Sequence, residues 1–187
     1  HGLFWGHSEN ITGSFYKRIS AFLKNDLALF AYHIPLDANN PYGNNFGLAR
    51  RLNLQNQEAF GFWRGMSLGV KGTLTSPLPL EELAKKILRN GKLPNTVLNF
   101  GKPLISTVGI ISGGASEDVE AAVKEGLDCY ITGEFAHEQY HYAKENCINV
   151  IGGGHYETET VGVSLVMEKV KNELGIETVF IESETGL

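Results

Sequence analysis

The sequence predicts an α/β fold: a largely parallel sheet with helices on its faces. Three observations carry this. From Ile105 onward, apolar runs of strand length alternate with helical patterns. Glycines close those runs, at Gly113-Gly114, Gly133 and Gly152-Gly153-Gly154, where each strand turns toward the next helix. The helical stretches between the runs can serve as the crossovers that parallel neighbours require.

The elements follow in order. Ser14 to Asn25 places Phe15, Ile19, Phe22 and Leu23 at helical spacing. The apolar run Leu27 to Ile34 has strand length, and Pro35 ends it by removing a backbone donor. Asn39 to Asn45 is a turn cluster, followed by a short helix from Asn45 to Leu52. Short strands are expected around Phe62-Trp63 and from Gly69 to Leu74. Leu80, Leu83, Ala84, Ile87 and Leu88 then line one helix face, with Pro79 at its first turn and Gly91 just past its end. The regular part comprises strands at Ile105–Ser112, Asp128–Thr132, Ile148–Ile151 and Thr178–Glu182. Helices at Ser116–Gly126, Phe135–Asn146 and Thr158–Leu174 separate them. The change of texture divides the chain into two parts, residues 1–60 and 61–187.

Composition narrows the function. The net charge of -5 argues against general affinity for nucleic acid, which needs a basic face. No run of 18 apolar residues suggests a membrane span. The 22 glycines, roughly 12% of the chain against an ordinary 7% or so, match the many strand-to-loop turns. Cys129 and Cys147 have no zinc-like spacing and read as two reduced thiols of a cytoplasmic protein.

Two segments offer mixed imidazole and carboxylate donors where apolar runs give way to turns. Tyr32-His33-Ile34-Pro35-Leu36-Asp37 is one, and Gly152-Gly153-Gly154-His155-Tyr156-Glu157-Thr158-Glu159 the other. Divalent metals accept such donors. Asp37 alone is equally a solvated turn residue beside a buried His33. His155 and Glu159, at i and i+4, share a helix face, which also suits an ordinary surface pair. His137-Glu138-Gln139-Tyr140-His141 spells H-E-x-x-H, the zincin signature, but a strand and a triple-glycine turn separate it from Glu159. A crossover helix with polar residues is the plainer account. Gly109 to Ala115 hints at a phosphate-cradling turn without the Walker lysine or the full G-x-G-x-x-G spacing. Ligands of parallel sheets gather beyond the carboxyl ends of the strands, where Gly113-Gly114, Gly133-Glu134 and Gly152 to Gly154 fall.

His-Gly-Leu-Phe-Trp-Gly at the start, Tyr-His-Ile-Pro-Leu-Asp, the Asn44-Asn45 turn, Ile-Thr-Gly-Glu and Gly-His-Tyr-Glu-Thr-Glu occur in that order. Nearly end to end, the chain resembles the Nif-three-like family, whose members are also called GTP cyclohydrolase I type 2 homologues. The resemblance implies two intertwined α/β domains, a centre of two divalent metal ions and a toroidal homohexamer. It implies His1, Asp37, His155 and Glu159 as metal ligands, His1 matching the second of two adjacent histidines. The first histidine of that pair has no counterpart, and His1 opens directly into Gly2. The expectation is therefore a chain that begins inside a longer protein.

The chemistry follows from the donors. Histidine and carboxylate ligation fits iron, manganese, zinc or cobalt better than calcium. Water activated by two such ions is a nucleophile at neutral pH, and in a cyclohydrolase it attacks C8 of a purine. Glu134, at an adjacent strand end, is the expected proton shuttle, with His33 and His137 as other candidates. Phe62, Trp63 and Arg64 are candidate substrate contacts or packing residues. The leading expectation is a metal-dependent hydrolase acting on a small, nucleotide-like substrate. The alternative is a metal-binding protein without turnover, either a metallochaperone or a metal-responsive regulator or scaffold. No cysteine joins the constellation, which leans away from a closed structural site.

Overall fold

Six strands form one mixed sheet in the order β1-β2-β4-β5-β6-β3. The structure is a computed structural model that describes residues 1–5 and 10–186. Gly6, which closes the first motif, lies outside the described residues. The chain divides into two compact units, His1–Pro35 and Leu36–Leu187.

In the first unit, helix α1 (Gly13–Lys24) buries Phe15, whose ring meets Phe4 edge-on at 5.6 Å. The apolar run from Leu27 to Ile34 was expected to be a strand, and none forms there. A strand is defined by a ladder with a neighbour, and these residues have none among the described residues; Leu27, Leu29, Phe30 and Tyr32 are exposed. The expected strand at Thr178–Glu182 is absent for the same reason, with Val179 and Ile181 exposed.

The second unit carries the sheet. Helices α2 (Ile34–Asp37) and α3 (Asn44–Arg51) lead into the hairpin of β1 (Gln55–Trp63) and β2 (Met66–Pro79). Its two-residue turn, Arg64-Gly65, has positive φ at both positions, as the tight primed turns require. The hairpin is longer than the apolar runs suggest because β1 begins with exposed polar residues. Phe62 and Trp63 stand exposed at its tip, with the Arg64 guanidinium 4.5 Å over the Trp63 ring. Helix α4 (Leu80–Ile87) follows β2, and Gly91 closes a short 3-10 turn rather than the helix itself. Strand β3 (Thr96–Leu98) pairs antiparallel at the far edge, beside β6.

The parallel part is β4 (Leu104–Ile111), β5 (Cys129–Thr132) and β6 (Asn149–Gly152). Helices α5 (Val119–Lys124) and α6 (Tyr140–Glu145) cross between them, and α7 (His155–Leu174) leaves β6. Alternation sorts the side chains to two cores. Val108, Ile110, Ile131 and Ile151 pack with Leu48, Leu83, Ile87 and Val161 of α3, α4 and α7. Ile111, Tyr130 and Val150 pack with Val119, Ala122 and Ala143 of α5 and α6. Each such aliphatic side chain contributes roughly 1.5–3 kcal/mol by leaving water. At the crossing of α3 and α7, a Cβ on Gly47 would lie 2.4 Å from Val161 Cγ1 and 2.9 Å from Leu165 Cδ1, so a larger residue would force those side chains to shift. No helix among the described residues is long and apolar enough to cross a membrane.

Candidate metal centre

The carboxyl ends of β4, β5 and β6 are stitched together by their glycine turns. Gly133 and Glu134 both donate their N–H to the Gly113 carbonyl, at 3.0 and 2.9 Å. Gly153 N–H reaches the Thr132 carbonyl and Gly154 N–H the Gly133 carbonyl, each at 2.8 Å. Thr158, fully buried on α7, accepts the Gly113 N–H through its hydroxyl at 3.1 Å. That bond occupies the Gly113 N–H, which the phosphate-cradle reading of this turn would have used. The residues that make these links, Thr158 above all, escape a reading based on ligand types, because their role is to fix backbone.

Helix α7 starts at His155, three residues earlier than its apolar pattern indicates, with Gly154 at φ 95 as its N-cap. This places His155 and Glu159 on the first turns, with Nε2 and Oε1 3.2 Å apart. His155 Nδ1 lies 2.6 Å from Glu134 Oε1 at the end of β5. Hydrogen bonding to Glu159, helped by Glu134, pushes the His155 imidazole up to about 9, against the opposing cost of burial. In its charged form the ring donates to both carboxylates.

Gly113 closes the site from beneath. A Cβ there would lie 2.3 Å from Glu159 Oε1 and 3.3 Å from His155 Nε2, and its φ is 69. Gly113→Ala is expected to destabilise the fold by about 1–3 kcal/mol through backbone strain alone. The clash with Glu159 adds to this. Gly126→Ala is the control, since Gly126 has φ 68 and nothing within 4 Å of its Cβ position. Urea midpoints of the two variants give the contact with Glu159 as their difference. Equal losses show that no such contact matters.

Asp37, at the end of α2, is buried, with 7% of its surface exposed. Its carboxyl is pushed up to about 6, chiefly by burial, with Asn44 opposing; the Glu159 charge adds to the rise and His155 counters it. Asn44 Nδ2 donates to Asp37 Oδ1 at 2.6 Å. The structure thus gathers Glu134, His155 and Glu159 by contact and places Asp37 within their electrostatic reach. His1 belongs to the other unit, where its ring lies 4.2 Å from that of His33, with Trp5 5.5 Å away. His137 sits in a 3-10 turn and His141 in the following helix α6, so the H-E-x-x-H segment is not one regular helix.

Among the described residues, no three His, Cys, Asp or Glu side chains form a group that could hold a metal ion as they stand. Both nitrogens of His155 are turned to carboxylates. Glu134, His155 and Glu159, one imidazole and two carboxylates, meet beside Gly113, with Asp37 within electrostatic reach, and these are donor types that a divalent cation accepts.

Known proteins agree along the whole chain. A GTP cyclohydrolase 1 type 2 homolog of Treponema pallidum is 40% identical, covering 100% of this chain and 77% of the relative. One of Deinococcus radiodurans is 41% identical, covering 100% of this chain and 71% of the relative. The crystal structure of a Thermus thermophilus protein is 36% identical with a TM-score of 0.86, covering 100% of this chain and 74% of that one. The sequence model of the Duf34/NIF3 (NGG1p interacting factor 3) family matches residues 1–186, and with these relatives it shows that the chain belongs to that family.

Proposed function

We propose that this protein is a divalent-metal-dependent hydrolase acting on a nucleotide-like substrate. The observation that carries the reading is the convergence of Glu134, His155 and Glu159 on Gly113, at the carboxyl ends of parallel strands. The names of the relatives add the substrate class. Asp37, His155 and Glu159 are the residues that would hold two ions of iron, manganese, zinc or cobalt. When bound, such ions bring the pKa of water toward neutrality.

Glu134 handles the proton. Its carboxylate is half exposed, at 51%, and therefore within reach of both solvent and substrate. Its backbone is held from both sides, because Ser116 Oγ donates to the Glu134 carbonyl at 2.9 Å and accepts the Ala136 N–H at 2.8 Å. As the water oxygen bonds to C8 of a purine, Glu134 takes its proton and returns it to the ring nitrogen that leaves as the imidazole opens; a second water then adds to the resulting formamide carbon, and Glu134 passes its proton to the second nitrogen, which leaves as formate is released. His155 Nδ1 keeps the carboxylate oriented. Assembly as a toroidal homohexamer belongs to the same proposal, and the mass in solution tests it.

The experiment is formate release from GTP by the full chain loaded with Mn²⁺, Zn²⁺, Fe²⁺ or Co²⁺, with elemental analysis of the same samples. Formate release that depends on the added ion is the expected result. Two bound ions without turnover of any nucleotide would establish the non-catalytic, metal-binding reading in its place.

A further inference from the structure

Asn44 joins three elements of the second unit at one planar amide. It is the first residue of α3, and 3% of its surface is exposed. Its Oδ1 accepts the N–H of Gly162, in the middle of α7, at 2.6 Å. Its Nδ2 donates to Asp37 Oδ1, at the end of α2, also at 2.6 Å. The two partners leave the amide one orientation. The Gly162 N–H can only donate and a carboxylate can only accept, so Oδ1 must face α7 and Nδ2 must face Asp37. Aspartate at this position would set acceptor against acceptor, and an aliphatic residue would remove the amide's bonds to both neighbours.

The packing around the amide leaves little slack. A Cβ on Gly162 would lie 2.8 Å from Asn44 Oδ1 and 3.1 Å from Leu36 Cγ. A Cβ on Gly43, the N-cap of α3, would lie 2.3 Å from the Leu36 carbonyl and 2.4 Å from the Asn39 carbonyl. The turn between Asp37 and Asn44 is therefore drawn tight, and α7 lies against it. Gly162 follows His155 at i+7 and Glu159 at i+3 on the same helix, so it shares their face. The contact that fixes Asp37 is made to the helix that carries the other two donors.

We propose that Asn44 is a positioning residue that holds Asp37 in register with His155 and Glu159 for a shared divalent cation. The proposal rests on Asp37 being a metal ligand, as argued above. Groups that orient a ligand in this way typically carry a roughly 10–100-fold share of metal affinity.

Zn²⁺ binding to the full chain, measured by titration calorimetry, tests it with the variants N44L, D37N, their combination, and G162A. N44L is expected to weaken Zn²⁺ binding by about 10–100-fold. In the D37N background the same change is expected to have no further effect, because its target is already gone. A merely structural Asn44 gives the opposite result: N44L weakens binding equally with and without Asp37, or leaves it unaltered, and the proposal falls. G162A presses on the amide from the α7 side without touching a site residue, and it carries the test if N44L does not fold. Wild-type affinity in G162A overturns the proposal. Zn²⁺ binding that survives D37N undiminished removes Asp37 from the ligand set, a failure of the metal reading itself that is distinct from any failure of the Asn44 arm.

Discussion

If the protein is the hydrolase proposed above, replacing Glu134 by Gln is expected to lower turnover about 10²–10⁴-fold, the usual share of a positioned proton-transfer group, and to leave metal content unchanged. The substitution keeps shape and removes basicity. Gln retains an oxygen that can accept from His155 Nδ1, now 2.6 Å from Glu134 Oε1. The loop does not depend on the carboxylate, since it is fixed by backbone and by Ser116: Glu134 N–H to Gly113 at 2.9 Å, and Ser116 Oγ to the Glu134 carbonyl at 2.9 Å. A loss of rate in E134Q therefore reports the proton, not the fold. The measurement is steady-state formate release beside metal content. Wild-type rates in a metal-loaded E134Q protein end the proton-shuttle role. Ser116→Ala provides the contrast: it loosens the loop while leaving the carboxylate, and a smaller loss is expected.

The parallel centre of the sheet was legible because β4, β5 and β6 are short apolar runs closed by glycines, buried on both faces. Glu134 and His155 stand just beyond such runs and drew notice for the same reason, whereas Glu159 was singled out by its i,i+4 spacing from His155 and by the family resemblance. Other features could not be read so. The Leu27 to Ile34 run has the apolarity of a strand, yet strand formation depends on a neighbour that composition does not reveal. The antiparallel flanks β1 and β2 extend through polar, exposed positions whose pairing is set across the hairpin, not by periodicity. Strand β3 has only three residues. Asn44 is the sharpest case. Its place beside a turn was evident, but its partner Gly162 is 118 positions away, and a mid-helix glycine carries no signal of an amide pressed against it. The start of α7 at His155 rather than Thr158 likewise depends on Gly154 adopting φ 95.

Asp128 lies away from the candidate centre and is expected to contribute to the acid response of the fold. It stands just before β5 with its side chain 5% exposed. Burial by itself would raise its carboxyl, but Lys102 and the N–H groups of Ser106 and Thr107 outweigh that and hold it below the ordinary value of 3.8. Oδ2 accepts those two N–H groups at 2.9 and 3.0 Å, where β4 begins, and Oδ1 accepts from Lys102 at 2.7 Å. The Lys102 side chain is 72% exposed, so solvent screening leaves the ion pair a small part. The backbone bonds carry the weight. Asp128→Ala leaves two N–H groups without their acceptor and costs about 2–4 kcal/mol at neutral pH. The charge also gives a sign. The folded chain holds Asp128 ionised more firmly than the unfolded chain does. Its contribution is therefore complete above the ordinary carboxylate value and is lost as pH falls through the lower folded value. Other carboxylates titrate nearby, so the measurement is a difference: urea midpoints of wild type and D128N, followed from neutral pH into acid. The gap between them is expected to be widest at neutral pH and to close as the solution becomes more acidic than the ordinary aspartate value. A gap that stays constant through that range means the bonds to Ser106 and Thr107 do not depend on the charge, and the acid response must be assigned to other groups.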